Sequence, residues 1–457
     1  MKTKRFLSVF FLALLLVGQL TVPAGAERVT DPDIQAKAAL LVDQKTGAVV
    51  YSLNEHDELY PASLTKIMTC LLVLEAVDEG RLAMDQEITA AATAMEGLAD
   101  DGSTAGIKVG ETLTVEELLY CMMVVSANEA CTILAEKVSG TVNSFVSAMN
   151  AKAHELGCEN THFMNPHGLH DSQHYTSAWD LYLITKAAME YPMFMTICDT
   201  SSHTVPPTDV SEERQLHNTN YLISGWRSRG YLYGDAHGVK TGSHSQAGHC
   251  LVATAQKASV GFISVVLGAE RVQLEDGTWW TYSFGETIKL YDWGFGNFAY
   301  QTVLKEDDVA GEAPVSLSSA DYVTLRPAKT LELLLPKGVD MEELEKTIKL
   351  AADPVEAPIA EGDVLGTMTV SLNGEELAEV NLLAYTDVEA SRLRIFWRDL
   401  KNFFSTAAAK IILAVVLVLA VILIGWKVLF SRRRYRYGRS VGGGRSRRGY
   451  RGGKKRR

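Results

Sequence analysis

Cysteine is scarce in this sequence, with six residues in a chain of 457. None of them forms a C-x-x-C pair, a spacing that is typical of metal and redox sites. A chain of this length can bury a large core without cross-links, and most of the cysteines fall within apolar helical or strand patterns. We therefore expect buried free thiols, with one or two bridges as the alternative, at Cys70, Cys121, Cys131, Cys158, Cys198 and Cys250.

Acidic residues are absent from the last 27 positions, 431–457, which carry 11 Arg and 2 Lys. The 24 residues before this tail, Ala407 to Phe430, are mostly apolar and would extend about 36 Å as a helix, enough to cross a bilayer core. The positive-inside rule predicts a single-pass transmembrane helix with a basic cytoplasmic tail. The tail also resembles arginine–glycine RNA-binding segments, but contact with anionic lipid at the membrane is the plainer interpretation.

A long apolar segment is also lacking at the N-terminus, where the run from Phe6 to Val17 is short for a membrane span. Basic residues precede this run and an A-x-A site, residues 24–26, follows it. Together they predict a secretory signal peptide over residues 1–26, with an uncleaved anchor as the alternative. The part between the signal and the span then lies outside the cytoplasm. It is strongly acidic, which argues against nucleic acid as a partner.

Strand patterns flank a helical middle in residues 27–300, which we expect to form one domain. A strand, a turn at 45–47 and a second strand begin this domain, and strand patterns return between 237 and 270. A sheet that joins early and late segments and is flanked by helices, with a helical subdomain, predicts an α/β fold. The helix beginning at Ser177 is expected to end at Pro192. Helix starts and stops are predicted at Thr114, Ser177, Gly140 and Gly157.

The character of the sequence changes after the first domain. Short strand patterns in residues 308–387 predict a small all-β sandwich domain, and Asn373-Gly374 is a strong two-residue hairpin signal. No catalytic cluster is visible there. In residues 391–404 large apolar side chains recur at helical spacing between basic ones, which is typical of an amphipathic juxtamembrane helix.

Three polar motifs stand out in the first domain. The first is Ser63-x-x-Lys66 at the start of an apolar helix, which by itself arises by chance about once or twice in such a chain. The second, 126–128, reads Ser-Ala-Asn between two apolar helices, and the third, 240–242, reads Lys-Thr-Gly on a predicted strand. In this order the three motifs match the signature of penicillin-recognising serine acyl-transferases.

The chemistry of these residues is coherent. The Ser63 hydroxyl is a poor nucleophile unless a base takes its proton, and Lys66 can do so only when it is neutral. Burial and a neighbouring cation, Lys240, would lower the pKa of Lys66. Ser126 can relay a proton between Lys66 and the leaving amine.

Substrate would be held by the remaining motif residues. Asn128 can bind a substrate amide, and Lys240 with Thr241 can bind a terminal carboxylate. Gly242 would keep the strand flat for a substrate lying beside it. The backbone N–H groups of Ser63 and Ser243 would form an oxyanion hole.

The sequence resembles the serine D-alanyl-D-alanine carboxypeptidases, the low-molecular-mass penicillin-binding proteins, over roughly residues 38–296. The resemblance lies in "YPASLTKIMT", "MMVVSANEAC", "ELGCENTHFMNPHGLHDSQHYTSAWDL", "HGVKTGSHSQAGHCLVATA" and "ISVVLGAER". It implies removal of the terminal D-alanine from peptidoglycan stem pentapeptides through an acyl-enzyme on Ser63, which water then hydrolyses. It also implies acylation of Ser63 by β-lactams, with no cofactor. Family members usually supply an arginine for the substrate carboxylate, for which Arg271 is a candidate.

Three other functions compete with this interpretation. A β-lactamase of the same fold would need an E-x-x-L-N loop for deacylation, which the sequence lacks. A non-catalytic wall-binding or drug-sensing module would predict damaged motifs, and none is seen. A zinc-dependent carboxypeptidase would need an H-x-H-type ligand pattern, which is missing from the segment that holds His162, His167, His170 and His174, so we expect no metal. Asp180 is interpreted as a helix cap rather than a catalytic acid.

Overall fold

The computed structural model of the chain describes residues 30–99, 102–228 and 230–431. The predicted signal peptide and, apart from Ser431, the basic tail lie outside these residues. The chain divides into two compact units. The first runs up to Lys305 and includes Thr330–Glu345 and Val370–Ala378, and the second comprises Glu306–Lys329, Lys346–Thr369 and the residues from Glu379 onward.

The α-helices are numbered along the chain. They are Lys66–Asp78 (α1), Val115–Val124 (α2), Asn128–Ser139 (α3), Val142–Glu155 (α4), Ala178–Met189 (α5), Pro192–Cys198 (α6), Tyr282–Asn297 (α7), Arg392–Ser405 (α8) and Ala407–Ser431 (α9). Short 3₁₀ turns lie at Ala62–Thr65, Ala92–Met95 and Met341–Glu343.

The strands are numbered in the same way. They are Ala38–Asp43 (β1), Val49–Leu53 (β2), Glu87–Thr89 (β3), Thr112–Thr114 (β4), Ser202–Val205 (β5), Arg214–His217 (β6), Ala236–His244 (β7), Gly248–Lys257 (β8), Val260–Ala269 (β9), Arg271–Gln273 (β10), Trp279–Thr281 (β11), Phe298–Leu304 (β12), Gly311–Ser316 (β13), Tyr322–Pro327 (β14), Leu331–Pro336 (β15), Glu345–Leu350 (β16), Val355–Glu356 (β17), Val364–Leu372 (β18) and Glu375–Ala384 (β19).

A five-stranded antiparallel sheet in the order β2-β1-β9-β8-β7 is the centre of the first unit. Strand β1 pairs with β9, so the predicted union of early and late segments in one sheet is confirmed. Side chains alternate between the faces of a strand. Leu40 and Val42 therefore enter a core with helices α1–α6, whereas Ala39 and Leu41 enter a second core with α7. Strand β7 lies at the edge of the sheet and leaves one side open.

Local sequence signals fix most helix ends, with two corrections. Thr114 caps α2 by accepting a hydrogen bond from the backbone N–H of Glu117. The Glu117 carboxylate bonds His203 at 2.9 Å instead of returning to the cap, so the capping box is only half formed. Helix α5, capped by Ser177, ends at Met189, and Pro192 begins α6 because proline needs no donor in a first turn.

The cysteine prediction is confirmed. All six cysteines lie in the part of the chain that the structure describes, and none of them forms a disulfide. Five are buried and Cys158 is half-buried. Burial raises the pKa of Cys131 to about 11 and that of Cys121 to about 12, so these thiols stay protonated at neutral pH.

Six strands of the β region form one sheet in the order β16-β18-β19-β14-β13-β17. The predicted hairpin turn joins β18 to β19. Asn373 has φ 53° and Gly374 has φ 83°, the two positive angles that a type I′ turn requires.

Two helices end the described chain. Helix α8 leaves Leu393, Phe396 and Trp397 exposed, as expected for an amphipathic segment. Helix α9 contains the predicted apolar run, and residues Ala407–Phe430 are long and apolar enough to cross a membrane.

Candidate active site

Ser63 lies in a tight turn rather than in an α-helix. The 3₁₀ turn Ala62–Thr65 precedes α1, which begins at Lys66. Ala62 has φ 48°, a left-handed conformation that costs an alanine roughly 1–2 kcal/mol. The Ser63 side chain is half-buried and opens toward a cleft, so the turn presents a hydroxyl to solvent.

Lys66 is fully buried beside Ser63. Its Nζ lies 3.0 Å from Ser63 Oγ, 2.8 Å from Asn128 Oδ1 and 2.7 Å from the backbone oxygen of His167. Burial lowers the pKa of Lys66 from its ordinary value, because a charge is poorly solvated there.

Lys240 on β7 is the second buried lysine of the site, with 1% of its surface exposed. Burial, and then the charge of Lys66, lower the pKa of Lys240 to about 7. Because the repulsion between two positive charges is mutual, the charged form of each lysine disfavours the charged form of the other. No carboxylate lies within ion-pair distance of either lysine in the described ranges.

Ser126 and Asn128 come from the junction of α2 and α3. Ser126 has φ 67°, and its hydroxyl is buried with no hydrogen-bond partner among the described residues. Asn128 opens α3, and its backbone N–H donates to the oxygen of Ser103 at 2.9 Å. The motif predicted between two helices is therefore brought to the same site as Lys66.

Strand β7 forms the opposite wall. Thr241 Oγ1 lies 2.7 Å from Thr219 Oγ1. A Cβ at Gly242 would sit 2.7 Å from the oxygen of Pro61 and 3.2 Å from the nitrogen of Ser63. The strand therefore lies directly against the Ser63 turn. This lack of space for a side chain explains the glycine better than the flat strand that we expected from the sequence.

The motifs meet in one cleft of about 220 Å³. It is lined by Ser63, Ser103, Ser126, Thr219, Tyr221, Thr241, Gly242, Ser243, His249, Cys250, Arg271, Thr281, Ser283 and Phe284. Ser243, His249 and Arg271 also line a neighbouring groove of about 890 Å³, which includes Lys37 and Glu270. Arg271, proposed from the resemblance, thus lies at the junction of cleft and groove.

The segment from His162 to His174, called the histidine-rich loop below, supports the site. It forms no cluster of potential metal ligands in the described ranges. His174 Nδ1 accepts from the backbone N–H of Met164, so its Nε2 donates to Thr65 Oγ1 at 2.8 Å. Thr65 in turn donates to the oxygen of Ala62. This chain of bonds ties the loop to Ala62, the strained residue before Ser63.

Asp180 links helix α5 to the preceding loop rather than capping the helix. Its carboxylate accepts from the backbone N–H of Asn160 at 2.8 Å and from Thr161 Oγ1 at 2.7 Å, whereas Ser177 caps the helix. The cap interpretation was wrong in detail, because the serine already occupies the capping position.

Sequence reasoning missed several residues of the site. The oxygen of His167 contacts Lys66 across 101 positions of sequence, and a backbone atom leaves no mark in residue type. Thr219 and Tyr221 enter the cleft from a loop without a recognised motif. Glu129 was also missed, although an acidic residue next to Asn128 in an apolar helix is a pattern that the sequence could have revealed.

The fold and the cleft define a class of serine acyl-transferases that includes the low-molecular-mass penicillin-binding proteins. The family described as D-alanyl-D-alanine carboxypeptidase matches residues 25–271. The family described as penicillin-binding protein 5, C-terminal domain, matches residues 298–390. The chain belongs to the D-alanyl-D-alanine carboxypeptidase family.

Curated relatives agree with this assignment. D-alanyl-D-alanine carboxypeptidase DacF of Bacillus subtilis (strain 168) is 32% identical over 392 residues, 84% of this chain and 95% of that protein. D-alanyl-D-alanine carboxypeptidase DacC of Escherichia coli (strain K12) is 30% identical over 394 residues, 82% of this chain and 90% of that protein. The prediction of a serine-type carboxypeptidase is confirmed over its alternatives.

Solved structures show the same architecture. Penicillin binding protein 5 from Haemophilus influenzae has a TM-score of 0.64 at 32% identity and covers 79% of this chain and 99% of its own. The Streptomyces K15 DD-transpeptidase has a TM-score of 0.52 at 30% identity and covers 59% of this chain and 100% of its own. The predicted α/β fold with a following β domain is confirmed.

Proposed function

We propose that the enzyme removes the terminal D-alanine from peptidoglycan stem pentapeptides, with Ser63 as nucleophile and Lys66 as general base. One observation carries the assignment. A neutral lysine amine has two N–H groups and one lone pair. The oxygens of Asn128 and His167 can only accept, so they take both N–H groups, and the lone pair is left for the hydroxyl of Ser63, 3.0 Å away.

The reaction then runs in two steps. Lys66 takes the Ser63 proton as Oγ bonds to the carbonyl carbon of the penultimate D-alanine, and the N–H groups of Ser63 and Ser243 stabilise the oxyanion. Ser126, whose buried hydroxyl is unpaired in the described structure, passes the proton from Lys66 to the leaving amine as the peptide bond breaks. Water then attacks the ester, which releases the shortened peptide as a carboxylate and restores the Ser63 hydroxyl.

The positions of the binding groups set the direction of the substrate. Lys240 and Thr241 hold the carboxylate of the leaving D-alanine, while Asn128 holds an amide on the acyl side. The substrate can therefore lie along the open edge of β7, with its carboxylate end at Lys240 and Thr241. Arg271, which lines both the cleft and the neighbouring groove, is a further candidate for binding the same carboxylate.

The same site accounts for β-lactams as covalent ligands of Ser63. A test uses the full chain in detergent with a peptide ending in D-Ala-D-Ala and with a fluorescent penicillin. Release of D-alanine with a long-lived label, both lost in Ser63→Ala, supports the carboxypeptidase. Fast turnover of penicillin would favour the β-lactamase, and a label without peptide cleavage would favour the sensor module.

The location follows from helix α9 and its flanks. We propose a single-pass membrane protein with the catalytic domain outside the cytoplasm, a basic cytoplasmic tail that contacts anionic lipid, and no nucleic-acid partner. The native thiols are buried or half-buried, so an added thiol in Ser440→Cys offers a specific probe. A membrane-impermeant maleimide should label it only in opened cells, whereas labelling in intact cells would reverse the topology.

A further inference from the structure

Glu129 is a buried acid that the reaction above does not use. It follows Asn128 in the first turn of α3, and only 3% of its surface is exposed. Its Oε1 accepts from Thr104 Oγ1 at 2.7 Å, from the N–H of Ala105 at 2.8 Å and from the N–H of Ile107 at 3.4 Å. No lysine or arginine lies within ion-pair distance of it in the described ranges. Burying a charged carboxylate costs free energy unless the group is paired or hydrogen-bonded, and here the compensation comes from the three hydrogen bonds.

The three bonds hold one wall of the cleft. Segment 103–107 carries Ser103, which lines the cleft and whose backbone oxygen accepts from the N–H of Asn128. Gly102 touches the same asparagine, since a Cβ there would lie 2.9 Å from Asn128 Nδ2. Glu129 therefore fixes the segment against the residue that also contacts Lys66.

The charge of Glu129 acts on the buried lysines. Glu129 follows Asn128, whose Oδ1 lies 2.8 Å from Lys66 Nζ. The titratable groups that interact electrostatically with Lys66 are Glu129 and Cys131 on α3, His167 on the histidine-rich loop and Lys240 on β7. Burial keeps the Cys131 thiol and His167 neutral, because it raises the pKa of the thiol to about 11 and lowers that of the imidazole to about 3. Glu129 is thus the negative charge of the group, and it favours the protonated form of Lys66.

We propose that Glu129 is a positioning residue of this reaction, which clamps the 103–107 wall onto Asn128 and whose negative charge offsets the positive charge of the buried lysines. This inference rests on the proposed roles of Lys66 and Lys240. The proposal has two parts, the hydrogen bonds that hold the 103–107 wall and the negative charge near the lysines. Different substitutions test each part.

Glu129→Gln removes the charge and keeps an acceptor oxygen, whereas Thr104→Val removes one donor and keeps the charge. The matched control is Glu136→Gln, on the same helix, whose side chain accepts a hydrogen bond from Thr93 in the described structure. We would measure the rate constant of acylation by fluorescent penicillin against pH, together with kcat and KM for the D-Ala-D-Ala peptide.

Glu129→Gln should move the acid limb of the acylation profile to lower pH by roughly one unit or more, because Lys66 then loses its proton more easily. Thr104→Val should raise KM severalfold and leave the acid limb in place, and the control should match wild type. An unmoved acid limb in a folded Glu129→Gln would overturn the charge role, and an unchanged KM in Thr104→Val would overturn the clamp.

If Glu129→Gln loses cooperative thermal unfolding, Glu129→Asp replaces it. This variant retains the charge on a shorter arm, so it should raise KM with an unmoved acid limb, and a shifted limb would contradict the proposal. Failure of the proposed function is separate. In that case wild type itself would show neither peptide cleavage nor penicillin label.

Discussion

Lys66 and its hydroxyl partner are 3.0 Å apart, so one substitution can separate charge from basicity. Lys66→Arg keeps a cation of similar reach, but a guanidinium does not give up its proton at usable pH. We expect the acylation rate constant to fall by about 10²- to 10⁴-fold, the usual contribution of a general base. Penicillin labelling measures it, with Lys186→Arg on exposed helix surface as the control. Near-normal labelling of Lys66→Arg would exclude the lysine as base.

His174 makes a second prediction, on stability against pH. Burial lowers its pKa from 6.5 to about 4. The unfolded chain therefore binds a proton that the folded chain refuses between these values, and stability is complete above pH 6.5 and falls as the pH drops toward 4. The effect of this one group is about 3 kcal/mol across that range.

His174→Gln removes the titration but keeps a donor for Thr65. Thermal unfolding should show a shallower loss of Tm between pH 6.5 and 4 than in wild type. His154→Gln, on the exposed face of α4, is the control. Equal slopes in wild type and His174→Gln would show that the imidazole is not the titrating group.

At the scale of elements, the contact between β7 and the Ser63 turn is the tightest feature of the site. Gly242→Ala should push the strand away, since its Cβ would lie 2.7 Å from the oxygen of Pro61. We expect unfolding free energy to fall by about 1–3 kcal/mol and acylation to fall at least about tenfold. Gly234→Ala, which meets no atom within 4 Å, should match wild type in both. Wild-type acylation in Gly242→Ala would mean that the strand and the turn are not held in this register.

Elements marked by a local signal were predictable from sequence. Thr114 and Ser177 begin helices and Asn373-Gly374 turns a hairpin, because each rule involves only neighbouring residues. The turn at Ala62–Thr65 was not predictable, since its left-handed alanine is held by Thr65 and His174 rather than by any preference of the alanine itself.

The parts of the candidate site that are formed by motif side chains were predictable from the sequence. The types and order of Ser63, Lys66 and Lys240 indicated the chemistry, and the structure brings them into one place. The oxygen of His167 and the wall held by Glu129 depend on contacts between segments that are distant in sequence. No pattern within a short window records such contacts, and the fold must be known first.

At the scale of the whole molecule, two helices compete to explain attachment. Helix α8 is amphipathic and would lie in the membrane interface, whereas α9 is apolar on every side and would cross it. A peripheral protein is stripped from membranes by alkaline carbonate, but a spanning one is not. The native chain should therefore remain in the membrane pellet after carbonate extraction.

Val418→Arg with Leu419→Arg places two charges at the middle of α9, at a cost of about 5–7 kcal/mol for a helix that spans. We expect this variant to become extractable by carbonate while it still sediments with membranes at neutral pH, because α8 keeps its apolar face. Two arginines at Val309 and Tyr322, both exposed outside these helices, are the control and should leave the protein resistant. A double variant in α9 that still resists carbonate would show that this resistance does not depend on a spanning α9. Extraction of the native chain by carbonate would instead make the interfacial helix α8 the anchor.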